Sequence, residues 1–216
     1  MLVFHWLIHT RGGFLTRLVI GLLFFATLAI VDFRKHGQRA RRWREYAFLV
    51  ACVAAAILYG VLNDQVTSRI SWEYFYYGKQ LDKVLGEPTP PDSFALSREA
   101  AKIGAMATWS VGLLLGVAIL MANNPRRDRP QLSFRDLLML LPIVLAITVA
   151  CAIVGGAVGW FGWLNWIAED FRDMWSARIW RPPHFMATYG AHLGGYIGGL
   201  IGGAWGVWRV FGLRKT

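Results

Sequence analysis

Five apolar blocks, at about residues 14–31, 46–62, 103–122, 137–160 and 186–210, constrain this chain more than anything else in it. At 1.5 Å of rise per residue, a block of about 18 or more residues crosses a hydrocarbon core roughly 30 Å thick. Backbone polar groups inside hydrocarbon must find partners within the chain, so each block is expected to be a helix. The fold class expected is therefore an all-α integral membrane protein, residues 1–216 forming one transmembrane domain of about five spans. Hydrophobic residues make up 56% of the chain and aromatics 14%, above what a soluble domain of this size carries.

Block 1 ends in Ala26-Thr27-Leu28-Ala29, which loosely resembles a signal-peptide cleavage site, but the dense basic stretch Arg34–Arg44 follows it. Basic loops beside spans are held on the cytoplasmic side, so the first span is expected to be retained with this loop inside. The inside segments then carry 13 basic and four acidic residues, against 10 and nine outside. The expected topology is N-terminus out and C-terminus in. The basic excess lies in short loops beside anionic headgroups, so a lipid bilayer is the expected partner and nucleic acid is not. Arg17 is placed to snorkel to the outer interface, and His36 is read as a solvated loop residue. Cys52 and Cys151 fall inside spans without a C-x-x-C spacing and are read as small packing residues.

Two outer loops, 63–102 and 161–185, are long enough to carry structure of their own. In the first, Ser71 is an expected N-cap, with Tyr74, Tyr77, Leu81 and Val84 at helical spacing, stopped by Gly86 and Pro88-Thr89-Pro90-Pro91. In the second, Leu164, Ala168, Phe171 and Trp175 form one stripe, and Trp160, Trp163, Trp166, Trp175 and Trp180 mark an aromatic belt. Both read as interfacial helices. On the inside, Ser133-Phe134-Arg135-Asp136 has the form of a capping box, and Pro142 just beyond it is expected to bend the span.

Gly190, Gly194, Gly198, Gly202 and Gly206 repeat every four residues through the last block, with Gly195, Gly199 and Gly203 alongside. Small-xxx-small ridges let membrane helices approach closely, and Gly155 with Gly159 offers a matching surface. Packing is the expected role, ahead of a pore or ligand lining.

Ionisable residues inside spans are candidates for function. His192 and Tyr196 lie four apart and share a helix face. Asp64, in Asn63-Asp64-Gln65 with Thr67 close behind, sits where the second span leaves hydrocarbon, and Glu73 follows in the outer loop. Asp64 is expected to bond a neighbouring helix, pair with Arg69 or Lys102, or hold a proton or cation. His5 and His9 share the i, i+4 spacing of some metal pairs, but no Cys, Asp or Glu lies near them, so an interfacial segment is expected there. No metal is assigned. Cofactors are expected to be none, the exception being a tetrapyrrole ligated by His192. Nucleotide loops, nucleophile elbows, HExxH and paired C-x-x-C motifs are absent, which leans against an enzyme.

On Asn63-Asp64-Gln65-Val66-Thr67, Ser71-Trp72-Glu73-Tyr74-Phe75 through Gly78-Lys79, Ala122-Asn123-Asn124-Pro125 and His192-Leu193-Gly194-Gly195-Tyr196, the chain resembles an uncharacterised family of bacterial multispan membrane proteins. The resemblance covers most of spans 2 to 5. It implies a bacterial inner-membrane location and assigns no activity. The function expected first is a non-catalytic subunit or scaffold of a larger membrane complex, with other membrane subunits as partners. The second is a small transporter, channel or membrane enzyme whose polar site joins Asp64, Thr67, Glu73, His192 and Tyr196 near the outer leaflet. The third is a pigment-binding or electron-transfer accessory subunit.

Overall fold

The computed structural model describes residues 11–37, 40, 42–86, 93–124, 130–167 and 179–214, and among them there is helix and no strand. In order they form α1 (Arg11–His36), α2 (Arg42–Ile70), a π-helical turn (Tyr74–Gly78), α3 (Asp82–Leu85), α4 (Ser93–Ala122), α5 (Phe134–Leu138), α6 (Leu140–Trp160) and α7 (Pro182–Leu213). Four stretches, Gly13–His36, Arg42–Ile70, Phe94–Ala122 and Phe134–Trp160, are long and apolar enough to cross a membrane. The chain is accordingly a multi-pass helical membrane protein. The last apolar block becomes α7, the longest helix at 32 residues, which is not among those four stretches.

Glycine decides how these helices pair. The intimate pairs are α2 with α4 and α6 with α7. A Cβ on Gly155 would collide with the Gly190 carbonyl, one on Gly159 with the Met186 carbonyl, and one on Gly194 with the Cys151 carbonyl. Gly198 and Gly202 continue the contact against Thr148 and Val144. In the other pair Gly60 and Gly104 lie backbone to backbone, and Gly112 and Gly116 rest on Cys52. The free thiols of Cys52 and Cys151 thus sit in glycine contacts, as small packing residues do. The expected ridge is divided by partner. Gly203 and Gly206 face Leu115 and Ile119 of α4, Gly195 faces the Tyr59 hydroxyl, and Gly199 faces open space.

Helix ends are closed by charged or paired groups. Asp32, near the C-terminal end of α1, accepts from the Arg42 and Trp43 amides at 3.0 and 3.3 Å and so caps α2. Its other oxygen lies 3.0 Å from His36 Nδ1, giving that exposed imidazole a partner. The capping box forms as expected: Ser133 Oγ accepts from the Asp136 amide at 3.3 Å and Asp136 accepts from the Ser133 amide at 3.1 Å. The helix then breaks at Met139, which leaves Pro142 in the first turn of α6, where no N–H is required. Buried Arg214 donates to the carbonyls of Pro130, Ala122 and Asn124, tying the end of α7 to the end of α4.

Two expectations for the outer loops need correction. Helix α2 runs on to Ile70 and α4 starts at Ser93, so Asp64 and Thr67 lie on a helix and the connection spans only 71–92. Ser71 does cap, accepting from the Tyr74 amide at 3.2 Å. Yet Tyr74, Phe75, Tyr76 and Tyr77 are all buried, because the wide π turn points consecutive rings inward, whereas Val84 of the expected stripe is exposed. They form an outer core with Leu81, Leu96, Ala100, Phe185 and Met186. Gly86, at φ 81°, ends α3 as expected. In the second loop, Trp160, Trp163, Trp166 and Trp180 are exposed, as a belt requires. Ala168, Phe171 and Trp175 of its stripe lie outside the described residues, as do His5 and His9.

Gly190→Leu should cost at least about 1–3 kcal/mol, the range for overfilling a close-packed contact. In detergent, its thermal unfolding should fall well below that of the native chain. Gly199→Ala, which meets open space, should leave it unchanged. Equal losses in the two variants would contradict the packing account.

Candidate functional site

Asp64, Thr67 and His192 converge where α2, α7 and the π turn meet. Asp64 and Thr67 are one helical turn apart on α2 and both buried, and buried His192 faces them from α7. Asp64 Oδ1 lies 3.7 Å and Thr67 Oγ1 3.4 Å from the same atom, His192 Nε2. The Thr67 hydroxyl spends its hydrogen on the Asn63 carbonyl at 2.8 Å. Its contact with His192 therefore requires Nε2 to carry the proton. The imidazole N–H thus meets the Thr67 hydroxyl, with the Asp64 carboxylate at 3.7 Å, just beyond hydrogen-bond reach.

The surroundings hold this arrangement in place. Asn63 Nδ2 donates to Asp64 Oδ1 at 3.3 Å, and Thr188 on α7 donates to the Thr67 carbonyl at 3.3 Å. Tyr74 stacks on the His192 ring at 4.9 Å and Phe75 meets its edge at 5.8 Å. Lys79 Nζ lies 5.4 Å from the Tyr74 ring centroid on the outer side. The order outward is carboxylate, imidazole, phenol ring, ammonium. Burial pushes the Lys79 amine below its ordinary value of 10.5, and the Asp64 carboxylate partly offsets that. Burial likewise raises the Tyr74 phenol.

Several expected partnerships are replaced. Asp64 pairs with neither Arg69 nor Lys102: Arg69 bonds to the Gln65 carbonyl and Lys102 to Glu99 at 2.7 Å. Half-exposed Tyr196 instead lines a small interior cavity with Tyr59. Glu73 is buried but serves the α7 terminus, its two oxygens accepting from the Trp180 and Arg181 amides at 2.7 and 3.2 Å. Pro182 and Pro183 follow without N–H groups, so those amides are the donors the terminus offers, and the helix dipole favours the negative charge there. Sequence reasoning missed Thr188 and Tyr59. Both lie on residue faces that carry polar groups at i, i+4, namely Thr188 with His192 and Tyr59 with Asn63.

The chemistry open to this cluster is limited by its geometry. A nucleophile, base and orienting acid need both imidazole nitrogens, whereas here hydroxyl and carboxylate crowd one. Among the described residues no group of three or more His, Cys, Asp or Glu could hold a metal ion. For a tetrapyrrole, Nε2 is already engaged and Tyr74 covers the ring face. A buried carboxylate and a buried imidazole 3.7 Å apart can pass a proton between them. Compared with known proteins, no family model matches this chain, and neither a curated protein nor a solved structure is similar to it.

Lys79 should be acylated by an amine-reactive reagent with a pH midpoint below 10.5, because its lowered pKa leaves more neutral amine at a given pH. A midpoint at or above that value would contradict its burial beside Tyr74. Glu73→Ala should cost about 1–2 kcal/mol and remove hydrogen-exchange protection from the Trp180 and Arg181 amides. Unchanged protection there would show that the cap is dispensable.

Proposed function

We propose that the protein is a proton-exchanging membrane protein of a bacterial inner membrane, a small transporter in type, working at a polar site near the outer leaflet. The observation that carries this reading is the approach of buried Asp64 and Thr67 to one nitrogen of buried His192, at 3.7 and 3.4 Å, inside the helix bundle. Ionisable groups are costly at membrane depth and mark proton relays and ion pathways. Asp64 and His192 come from helices 128 positions apart in the chain, and neither is needed to close a helix end. The proposed topology has five spans, with α7 as the fifth, the N-terminus outside and the basic loops inside.

A non-catalytic subunit of a larger complex is the second reading. The glycine ridge, a surface suited to a partner helix, is mostly used within the chain, between α6 and α7. The remaining support for this reading is α1, which leans on α2 and leaves Leu15, Val19, Leu23, Phe24 and Ile30 exposed for lipid or for a partner helix.

Solid-supported membrane electrophysiology tests the first reading without knowledge of a substrate. A pH step across adsorbed proteoliposomes should displace charge, and Asp64→Asn and His192→Gln should each abolish that transient. Arg98→Gln, on the surface of α4, should keep it. Native transients in both site variants would end the proposal. Topology is tested separately by impermeant thiol labelling, in a background with Cys52 and Cys151 replaced by Ala. Gln80→Cys should react from outside, and Gln131→Cys only after permeabilisation.

A further inference from the structure

The close glycine contacts that join α6 to α7 stop short of the end where α7 finishes. Gly202 and Gly206 still lie against Val144, whereas Gly212 faces open space. Around and beyond Gly206 the large side chains Trp205, Trp208 and Arg209 take over, and a crevice of about 530 Å³ separates them from the start of α6. That volume lies within the usual range for a bound small molecule, about 300–1,000 Å³. Across the crevice stand Asp136 of α5, Met139 at the helix break and Ile143 in the first turn of α6. It therefore sits where a polar helix start gives way to an apolar span, the level at which tryptophan collects in membrane proteins.

The two charges in this crevice are not used up by the fold. Asp136 spends one oxygen, Oδ2, on the capping box, where it accepts from the Ser133 amide and hydroxyl at 3.1 and 2.7 Å. Among the described residues its Oδ1 accepts no hydrogen bond, Arg209 has neither a hydrogen bond nor an ion pair, and the two do not pair with each other. Arg214, five residues on, shows the contrast, since it is buried and donates to three carbonyls. An exposed arginine or aspartate alone needs no explanation. Opposite charges that flank one aromatic crevice without meeting are complementary to a zwitterion. A simple anion would meet Asp136 as a like charge, and a simple cation would meet Arg209 in the same way. A guanidinium matches phosphate through paired N–H donors, while an ammonium can donate to a carboxylate oxygen and sit over an indole face. Exposed Met139 and Ile143 continue the crevice as apolar surface for attached chains.

We propose that this crevice binds the headgroup of phosphatidylethanolamine, its phosphate on Arg209, its ammonium between Asp136 Oδ1 and the indoles of Trp205 and Trp208, and its acyl chains along Met139 and Ile143. Phosphatidylglycerol offers no ammonium. Phosphatidylcholine carries a methylated one, with no N–H to give Asp136. Arg209 is 17 residues along α7 from His192, roughly 25 Å at 1.5 Å per residue, so this site is separate from the proposed proton-exchange pair.

The test is native mass spectrometry of the full chain in detergent, titrated with phosphatidylethanolamine, phosphatidylglycerol and phosphatidylcholine of identical acyl chains. Phosphatidylethanolamine should bind first and at least about tenfold tighter than the other two, equivalent to about 1.4 kcal/mol. Arg209→Gln should lower its binding at least about tenfold, and Arg209→Lys, which keeps the charge, should lose less. Asp136→Asn, whose carbonyl can still accept from the Ser133 amide, should erase the preference over phosphatidylcholine. Both side chains are exposed, so neither change should unfold the chain. Arg135→Gln removes a neighbouring charge outside the crevice and should leave the preference intact. Equal binding of the three lipids, or a preference that survives both Arg209→Gln and Asp136→Asn, overturns the proposal. Tighter binding of phosphatidylglycerol that falls equally with Arg135→Gln and Arg209→Gln overturns it too, because that pattern is general attraction to a basic face.

Discussion

Backbone-to-backbone contact at glycine is the constraint on which the rest of this molecule depends. Within hydrocarbon the hydrophobic effect gives little reason for two helices to associate, so dispersion between closely approached backbones has to supply it. Gly155, Gly159, Gly190 and Gly194 let α6 and α7 meet along their length, and Gly60, Gly104 and Gly112 do the same for α2 and α4. Between the pairs the remaining glycines of α7, Gly195, Gly203 and Gly206, meet the side chains of Tyr59, Leu115 and Ile119 rather than backbone, so the pairs stand further apart. The result is a seam, holding an interior cavity of about 80 Å³ and, beside it, a larger groove.

The seam is closed at each end by a different device. At the end where α7 finishes, Phe48, Ile119, Leu137, Leu140 and Val210 pack as an ordinary apolar core, and Arg214 ties the last helix to the turn after α4. At the end where α7 starts, the π turn inserts four consecutive aromatic residues, and Glu73 fastens it to that helix. That fastening fixes where Tyr74 stands, and Tyr74 in turn covers the His192 ring. A structural carboxylate thus sets the geometry around the candidate site without entering it.

What could be read from the sequence followed from periodicity and local chemistry. Apolar length gave the helices, the four-residue glycine repeat gave a packing face, and Ser133 with Asp136 gave a capping box. Asp64 and His192 were legible as candidates, because an ionisable residue in an apolar block stands out. Their mutual approach was expected under the transporter reading, but no local pattern required it, since it depends on the rotation of α7 against α2, which glycine contacts with a third helix determine. The π turn was misread as a regular helix for a related reason. Tyr74, Tyr77 and Leu81 fit a 3.6-residue stripe, and nothing local reveals that Phe75 and Tyr76 turn inward as well. Glu73 was grouped with the site because burial and charge look alike in sequence whether a carboxylate holds a helix end or handles a proton.

The difference between those two kinds of carboxylate is the strongest physical argument for a working site. Asp32 and Glu73 each satisfy backbone amides at a helix start, where an anion both fills orphan donors and meets the favourable end of the helix dipole. Each is buried and repaid in structure. Asp64 is buried to the same degree, yet it sits inside α2, where the amides are already bonded. It has one side-chain bond from Asn63, and an imidazole 3.7 Å away that is also in contact with a hydroxyl. Burying a charge costs several kcal/mol, and one close partner rarely returns it. A carboxylate placed where it does so little for the fold, facing an imidazole, supports the proposed exchange role over a purely architectural one.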